Sequence, residues 1–177
     1  NAKLVYGRMT GWGQQGPLSQ AAGHDINYIA LTGALDAIGT DTSGPVPPLN
    51  LLGDFGGGSL YLLVGVLAAL HAAKQSGEGQ VVDAAIVDGV TSLMSFFYGQ
   101  PHSALRTVER GAGLLGGAAH FYRCYTCKDG KEISVGAIER VPHPEEPRRL
   151  GLLADPFGAL SRRKERAEVR GAGEAAE

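Results

Sequence analysis

Gly53-Asp54-Phe55-Gly56-Gly57-Gly58 runs directly into a strongly apolar stretch, Ser59 to Gln75. Three successive glycines at the head of a helix sacrifice backbone entropy and remove all side-chain bulk. Such a run suits a place where the backbone must lie close to something else. One neighbour that fits is a ligand met by N–H groups aimed at negative charge. The other is a second helix packed tightly against the first. A phosphate loop is not supported, because no G-K-[ST] follows. Ser59 to Gln75 is apolar nearly all round, which predicts burial on most sides. Asp54 is a natural N-cap for that helix.

The surrounding chain divides readily. Lys3 to Tyr6 has strand character, and Gly7 to Pro17 is punctuated like a loop. Asp25 to Ile38 carries apolar residues at helical spacing, with Gly39 near its end and His24 at or just before its first turn. Pro45, Pro47 and Pro48 exclude regular helix there. Gln80 to Ala84 reads as a strand and Ala85 to Tyr98 as a second buried helix. Phe121 to Ala137 reads as a hairpin about Asp129-Gly130, a favoured two-residue turn. That register sets Lys128 opposite Lys131 and His120 opposite Glu139. Gly111-Ala-Gly113-Leu-Leu-Gly116 matches G-x-G-x-x-G formally, but charged residues precede it and a strand follows it, so the dinucleotide reading fails.

Composition narrows the classes. The chain has 177 residues, 44% of them hydrophobic, and a net charge of −2. Wholesale disorder does not fit, and neither does a nucleic-acid partner, which favours a basic excess. The longest apolar run, Leu60 to Leu70, is shorter than a bilayer span, so a buried helix is expected and no membrane partner. No charged-then-apolar leader follows Asn1, so no secretory signal is expected. Cys124 and Cys127 have C-x-x-C spacing within a strand, which puts their side chains on opposite faces, and no metal site is expected. Residues 140–177 hold 8 of the 16 basic residues and little apolar periodicity. They read as a disordered or non-native tail.

Three ionisable residues stand out. His24 lies between Gly23 and Asp25 at a helix start, Asp54 in the Gly-rich turn, and Glu139 after the apolar Val135-Gly-Ala-Ile138. Each also has an ordinary explanation: a packed or capping histidine, an N-cap, and the first exposed residue past a strand.

At these residues the chain resembles a family. Tyr6-Gly-Arg-Met-Thr-Gly-Trp-Gly13, Gly23-His-Asp-Ile-Asn-Tyr28 and Asn50-Leu-Leu-Gly-Asp-Phe-Gly-Gly-Gly58 are similar to the α-methylacyl-CoA racemases of the family III CoA-transferase (CaiB/BaiF) superfamily. Gly116-Gly-Ala-Ala-His-Phe-Tyr122 and Val135-Gly-Ala-Ile-Glu139 continue the similarity. The resemblance covers about residues 1 to 139.

The resemblance implies an α/β fold: part of a Rossmann-like large domain in residues 1–100, and a linker with the start of a small α+β domain in residues 101–139. It also implies that the first half of the nucleotide-binding fold precedes Asn1. The implied activity is epimerisation of 2-methylacyl-CoA thioesters by proton transfer through an enolate. His24 and Asp54 match the catalytic pair, and Glu139 the glutamate bonded to the histidine. Gly23, Asp25, Ile26, Asn27 and Tyr28 match the stretch lining the thioester, and Asn50 a neighbour of the aspartate. No cofactor is implied, because CoA is part of the substrate. An interlocked homodimer is implied for the full-length protein. Cytoplasmic location is expected for a bacterial source, and a peroxisome or mitochondrion for a eukaryotic one.

The chemistry suits those residue types. A proton α to a thioester needs a base on one face and an acid on the other. Imidazole fits one role, and a carboxyl group kept protonated by its surroundings fits the other. Helix-start N–H groups, including that of Asp25, fit an enolate oxygen. Two alternatives stand beside this reading: a CoA transferase with Asp54 as nucleophile, and a truncated remnant without turnover.

Overall fold

The structure is a computed structural model describing residues 1–99 and 108–138. In chain order come strand β1 (Tyr6–Thr10), helices α1 (Asp25–Leu31) and α2 (Ala34–Ala37), and the two-residue strands β2 (Gly39–Thr40) and β3 (Gly44–Pro45). A wide-turned helical segment, Leu51–Leu60, continues into α3 (Tyr61–Ser76). Strand β4 (Val81–Ala85), helices α4 (Ile86–Leu93) and α5 (Ser95–Tyr98), a 3₁₀ turn at Leu114–Gly116, and strands β5 (Tyr122–Thr126) and β6 (Glu132–Gly136) complete the described residues.

β1 and β4 pair in parallel, Tyr6 opposite Val81 and Thr10 opposite Ala85. The first strand therefore starts at Tyr6 rather than Lys3 and takes in residues expected to be loop. Gly7 is tolerated inside it because α3 lies directly on the sheet. A Cβ at Gly7 would meet Val66 Cγ2 at 2.9 Å. Tertiary pairing has overridden local glycine preference.

The helix expected over Asp25 to Ile38 is two helices. Gly33 turns left-handed at φ 79° between them, which ends α1 and restarts the chain at Ala34. Ile29, at the middle of α1, and Val90, in α4, are fully buried. With Tyr28, Ala34, Ile86 and Met94 they form the main core. A second, small cluster of Leu114, Ala119 and Phe121 lies under the β5–β6 hairpin. Arg110 ties the two parts together, donating to the Asp36 carboxylate and to its carbonyl, each at 2.7 Å.

The glycine run is already helical. Turns begin at Leu51 rather than Ser59, and the Phe55 N–H reaches back five residues to the Asn50 carbonyl at 3.3 Å. That spacing is the wide π turn, which recurs at functional sites. Asp54 is therefore inside the helical segment and not at its N-cap, a position held by Asn50. Tight helix packing accounts for much of the run. A Cβ on Gly57 would meet Val90 Cγ2 at 2.6 Å, and one on Gly89 would collide with the Gly57 carbonyl.

α3 departs from expectation. Among its residues only Ala69 and Ala73 are buried, while Leu63, Val64 and Leu67 are more than half exposed. One two-stranded sheet covers one face of a helix, and the described residues supply no layer for the others. The continuous helix Leu51–Ser76 has 26 residues and contains an 18-residue stretch of mean hydropathy 1.6, long and apolar enough by length and composition to cross a membrane. Its first ten residues, however, pack between α1 and α4.

The hairpin register is one residue off the expected one. Thr126 pairs with Glu132 and Cys127 bonds Lys131, so the loop is Lys128-Asp129-Gly130, with Gly130 left-handed at φ 80°. A three-residue loop with a left-handed glycine is the next most favoured hairpin connection. Extending this ladder sets His120 opposite Ile138 rather than Glu139. Residues 140–177 lie outside the described residues.

Gly89→Ala is expected to lower stability by about 1–3 kcal/mol, because the added methyl has only backbone to displace. A urea midpoint equal to the unsubstituted protein's would contradict this packing.

Candidate active site

α1 begins at the segment G-H-D-I-N-Y. His24 is the N-cap, with extended backbone at φ −135°, and is exposed. The Asn27 side chain accepts the His24 N–H at 3.0 Å, and the Asn27 N–H donates to the His24 carbonyl at 2.8 Å. Asn27, matched to the thioester-lining stretch, thus also fixes the backbone that carries the imidazole. Gly23 has no room for a side chain, since a Cβ would meet Trp12 Cζ2 and Tyr28 Cε1 at 2.8 Å. Tyr28 is buried, packs edge-on against Trp12 at 4.6 Å, and donates its hydroxyl to the Gly23 carbonyl at 2.5 Å. Ile26 is exposed.

Asp54 lies half-buried on the wide turn. The Asn50 amide donates to its Oδ2 at 3.3 Å, and the Ser59 hydroxyl donates to its carbonyl at 2.9 Å. Its own N–H donates to Oδ2 of Asp25 at 2.7 Å. Asp25 is buried, and it directly follows His24. One hydrogen bond thereby links the helix start bearing the imidazole to the turn bearing the carboxyl group. The chain enters that turn through Leu49 in the left-handed region at φ 57°. For a branched side chain this costs roughly 1–2 kcal/mol.

Burial first, and the Asp54 carboxylate second, push the Tyr28 phenol above its ordinary value. Tyr28 and Asp54 therefore share one electrostatic environment. Glu139, expected to bond the histidine, lies outside the described residues. Ser59 and the Asp25 side chain are contacts of Asp54 that the linear sequence does not announce. The G-D pair and the Gly-rich run mark the turn, but the partners come from folding.

Among the described residues no cluster of three His, Cys, Asp or Glu is arranged to hold a metal ion, and Cys124 and Cys127 are free thiols. A cavity of about 520 Å³ lies elsewhere, lined among others by Thr40, Asp41, Leu115, Tyr122, Arg123 and Val135. It takes in none of the His24 and Asp54 region. Titratable groups and a helix start meet instead at the Asp25–Asp54 junction.

The family model for CoA-transferase family III matches residues 1–165, and the chain belongs to that family. It is 48% identical over 139 residues to the α-methylacyl-CoA racemase of Mus musculus, covering 78% of this chain and 36% of that protein. It is 43% identical over 155 residues to the α-methylacyl-CoA racemase of Homo sapiens, covering 88% of this chain and 41% of that protein. The chain thus spans less than half the length of these relatives. The crystal structure of a CAIB/BAIF family protein from Brucella suis shares the fold, with a TM-score of 0.63 and 19% identity over 98% of this chain and 52% of that one.

Asp54→Asn is expected to bring the Tyr28 phenol down toward its ordinary value, because one of the two causes holding it up is removed. Tyr98, raised by burial alone, stays where it is. An alkaline ultraviolet titration unchanged by the substitution would contradict the proximity of Asp54 to Tyr28. The linkage runs the same way. A raised phenol favours the folded state below its unfolded value of 10.0, and that contribution fades as pH climbs through the folded value.

Proposed function

We propose that the protein carrying this chain epimerises 2-methylacyl-CoA thioesters by moving a proton between the two faces of the α-carbon. The observation that carries this reading is the 2.7 Å bond from the Asp54 N–H to the Asp25 carboxylate. It couples a histidine at a helix start to an aspartate on a separate turn. The racemase relatives support the substrate class, since both are named for it.

In one direction the His24 imidazole takes the α-proton as base, leaving an enolate. The protonated Asp54 carboxyl group then delivers a proton to the opposite face. For the other epimer the roles reverse: the Asp54 carboxylate takes the proton and the imidazolium gives one back. Charge builds on the thioester oxygen in both directions. The Asp25 N–H, in the first turn of α1 where no intrahelical acceptor exists, is a donor suited to it. Asn50, bonded to Asp54 Oδ2, steadies the carboxyl group. Glu139 would orient the imidazole and favour its charged form. Gly23, Ile26, Asn27 and Tyr28 belong to the wall against the thioester. The CoA moiety enters as substrate, with no separate cofactor. The full-length protein is expected to act as an interlocked homodimer.

A second reading draws on the family's own name. In a CoA transferase Asp54 would attack the thioester carbonyl, expel CoA thiolate and form a mixed anhydride. That chemistry has no use for His24.

The test is α-deuterium exchange in heavy water with a 2-methylacyl-CoA and no acceptor acid, on the full-length protein. Exchange with loss of optical activity is expected. His24→Ala and Asp54→Asn should each lower turnover by about 10²–10⁴-fold. Absence of exchange, with CoA instead passing to an added carboxylic acid, would replace the racemase reading with the transferase one.

A further inference from the structure

Asp25 presents a problem that the proton-transfer scheme leaves unsolved. The residue is 7% exposed, the one charged residue among the buried ones described. Oδ2 accepts the Asp54 N–H, while Oδ1 is buried with no hydrogen-bond partner. An unsatisfied buried carboxylate oxygen is expensive, and a neutral side chain of similar size would avoid that expense. The residue on the far side of the bond is shaped around it. Gly53 directly precedes Asp54, and a Cβ there would collide with the Asp25 carboxylate, whose Cγ would be only 2.7 Å away. Gly53 is buried and has no positive φ, so its backbone does not demand glycine. The space does.

We propose that Asp25 is a positioning residue: its carboxylate oxygen, by accepting the Asp54 N–H, holds the turn bearing Asp54 in register with the helix start bearing His24. The proposal rests on the racemase reading and adds a task to it. Asp25 itself moves no proton. Its side chain reaches Asp54 through the backbone, while the preceding peptide bond joins it to His24. A short, charge-assisted bond is suited to holding two elements that are 29 residues apart in sequence. The wide turn is otherwise held near Asp54 by the Asn50 and Ser59 bonds, which come from the turn itself. Asp25 adds to the apolar packing of Leu52 on the core a directional bond between the turn and α1. An error of about 1 Å between two proton-transfer groups is worth about 10²-fold in rate.

The test uses the full-length protein and four variants: D25A, D25N, G53A and the double variant D25A/G53A. D25A should lower kcat by about 10²-fold and leave KM within about threefold, since residue 25 keeps its N–H and the lost side chain is directed to the Asp54 turn, so the transfer geometry is what changes. D25N keeps an oxygen that accepts the Asp54 N–H, so it should retain kcat within about tenfold and keep both limbs of the pH–rate profile. G53A should reproduce the D25A defect by pushing the carboxylate off the same N–H. In the double variant the methyl no longer meets a carboxylate, so its loss should be no greater than that of D25A alone. If D25A does not fold, D25N and G53A decide the matter by the same contrast. A wild-type kcat in D25A or G53A would overturn the proposal. So would a D25N enzyme that is folded yet as slow as D25A, because the charge and not the acceptor geometry would then be what matters. Failure of the unsubstituted protein to exchange the α-proton would instead strike the racemase reading beneath it.

Discussion

The bond between the Asp25 carboxylate and the Asp54 N–H is the contact on which the remaining geometry turns. A buried carboxylate is tolerated when hydrogen bonds replace its lost water, and here one oxygen is so compensated and the other is not. Such an imbalance persists where the surroundings over-determine it. Those surroundings are identifiable. The Asn27 side chain closes the start of α1 around the His24 N–H, and Ile29, fully buried one turn on, anchors the helix in the core. Gly53 leaves the carboxylate room to approach.

The glycines serve this approach in sequence. Gly57 and Gly89 let the wide turn and α4 come into backbone contact, which sets the depth of the turn. Gly53 then admits Asp25 at the same depth. Gly11 and Gly23 clear space for the Tyr28 ring, whose hydroxyl returns to the Gly23 carbonyl. Packing and chemistry are therefore not separable here. The residues that remove bulk between layers also decide which polar groups meet.

Much of this was legible in the linear sequence. The G-H-D-I-N-Y and G-D-F-G-G-G segments marked both sides of the junction, and the strand at Val81–Ala85 was anticipated within a residue. The misreadings have two causes: non-local contacts that overrode local pattern, and local backbone states that residue spacing does not report. Gly7 reads as a loop residue until α3 is laid over it. Gly33 splits a helix whose apolar spacing is unbroken, because spacing does not report a left-handed backbone. Asp54 reads as an N-cap because five-residue hydrogen bonding leaves no signature in an apolar and Gly-rich string. The exposure of Leu63, Val64 and Leu67 was not legible either, since an all-round apolar helix carries no information on which of its faces find partners within the same chain. Asp25 was noticed for its backbone N–H; its buried side chain, paired with a residue 29 positions away, needed coordinates.

The central claim is that an imidazole and a carboxyl group stand on opposite faces of one carbon. It is tested most directly by a crystal structure of the full-length protein with a planar mimic of the 2-methylacyl-CoA enolate. The account predicts a His24 ring nitrogen and an Asp54 carboxyl oxygen each about 3–3.5 Å from the carbon that mimics the α-centre, one above its plane and one below. Both groups on the same face, or a ligand seated where only one of them reaches it, would contradict the account.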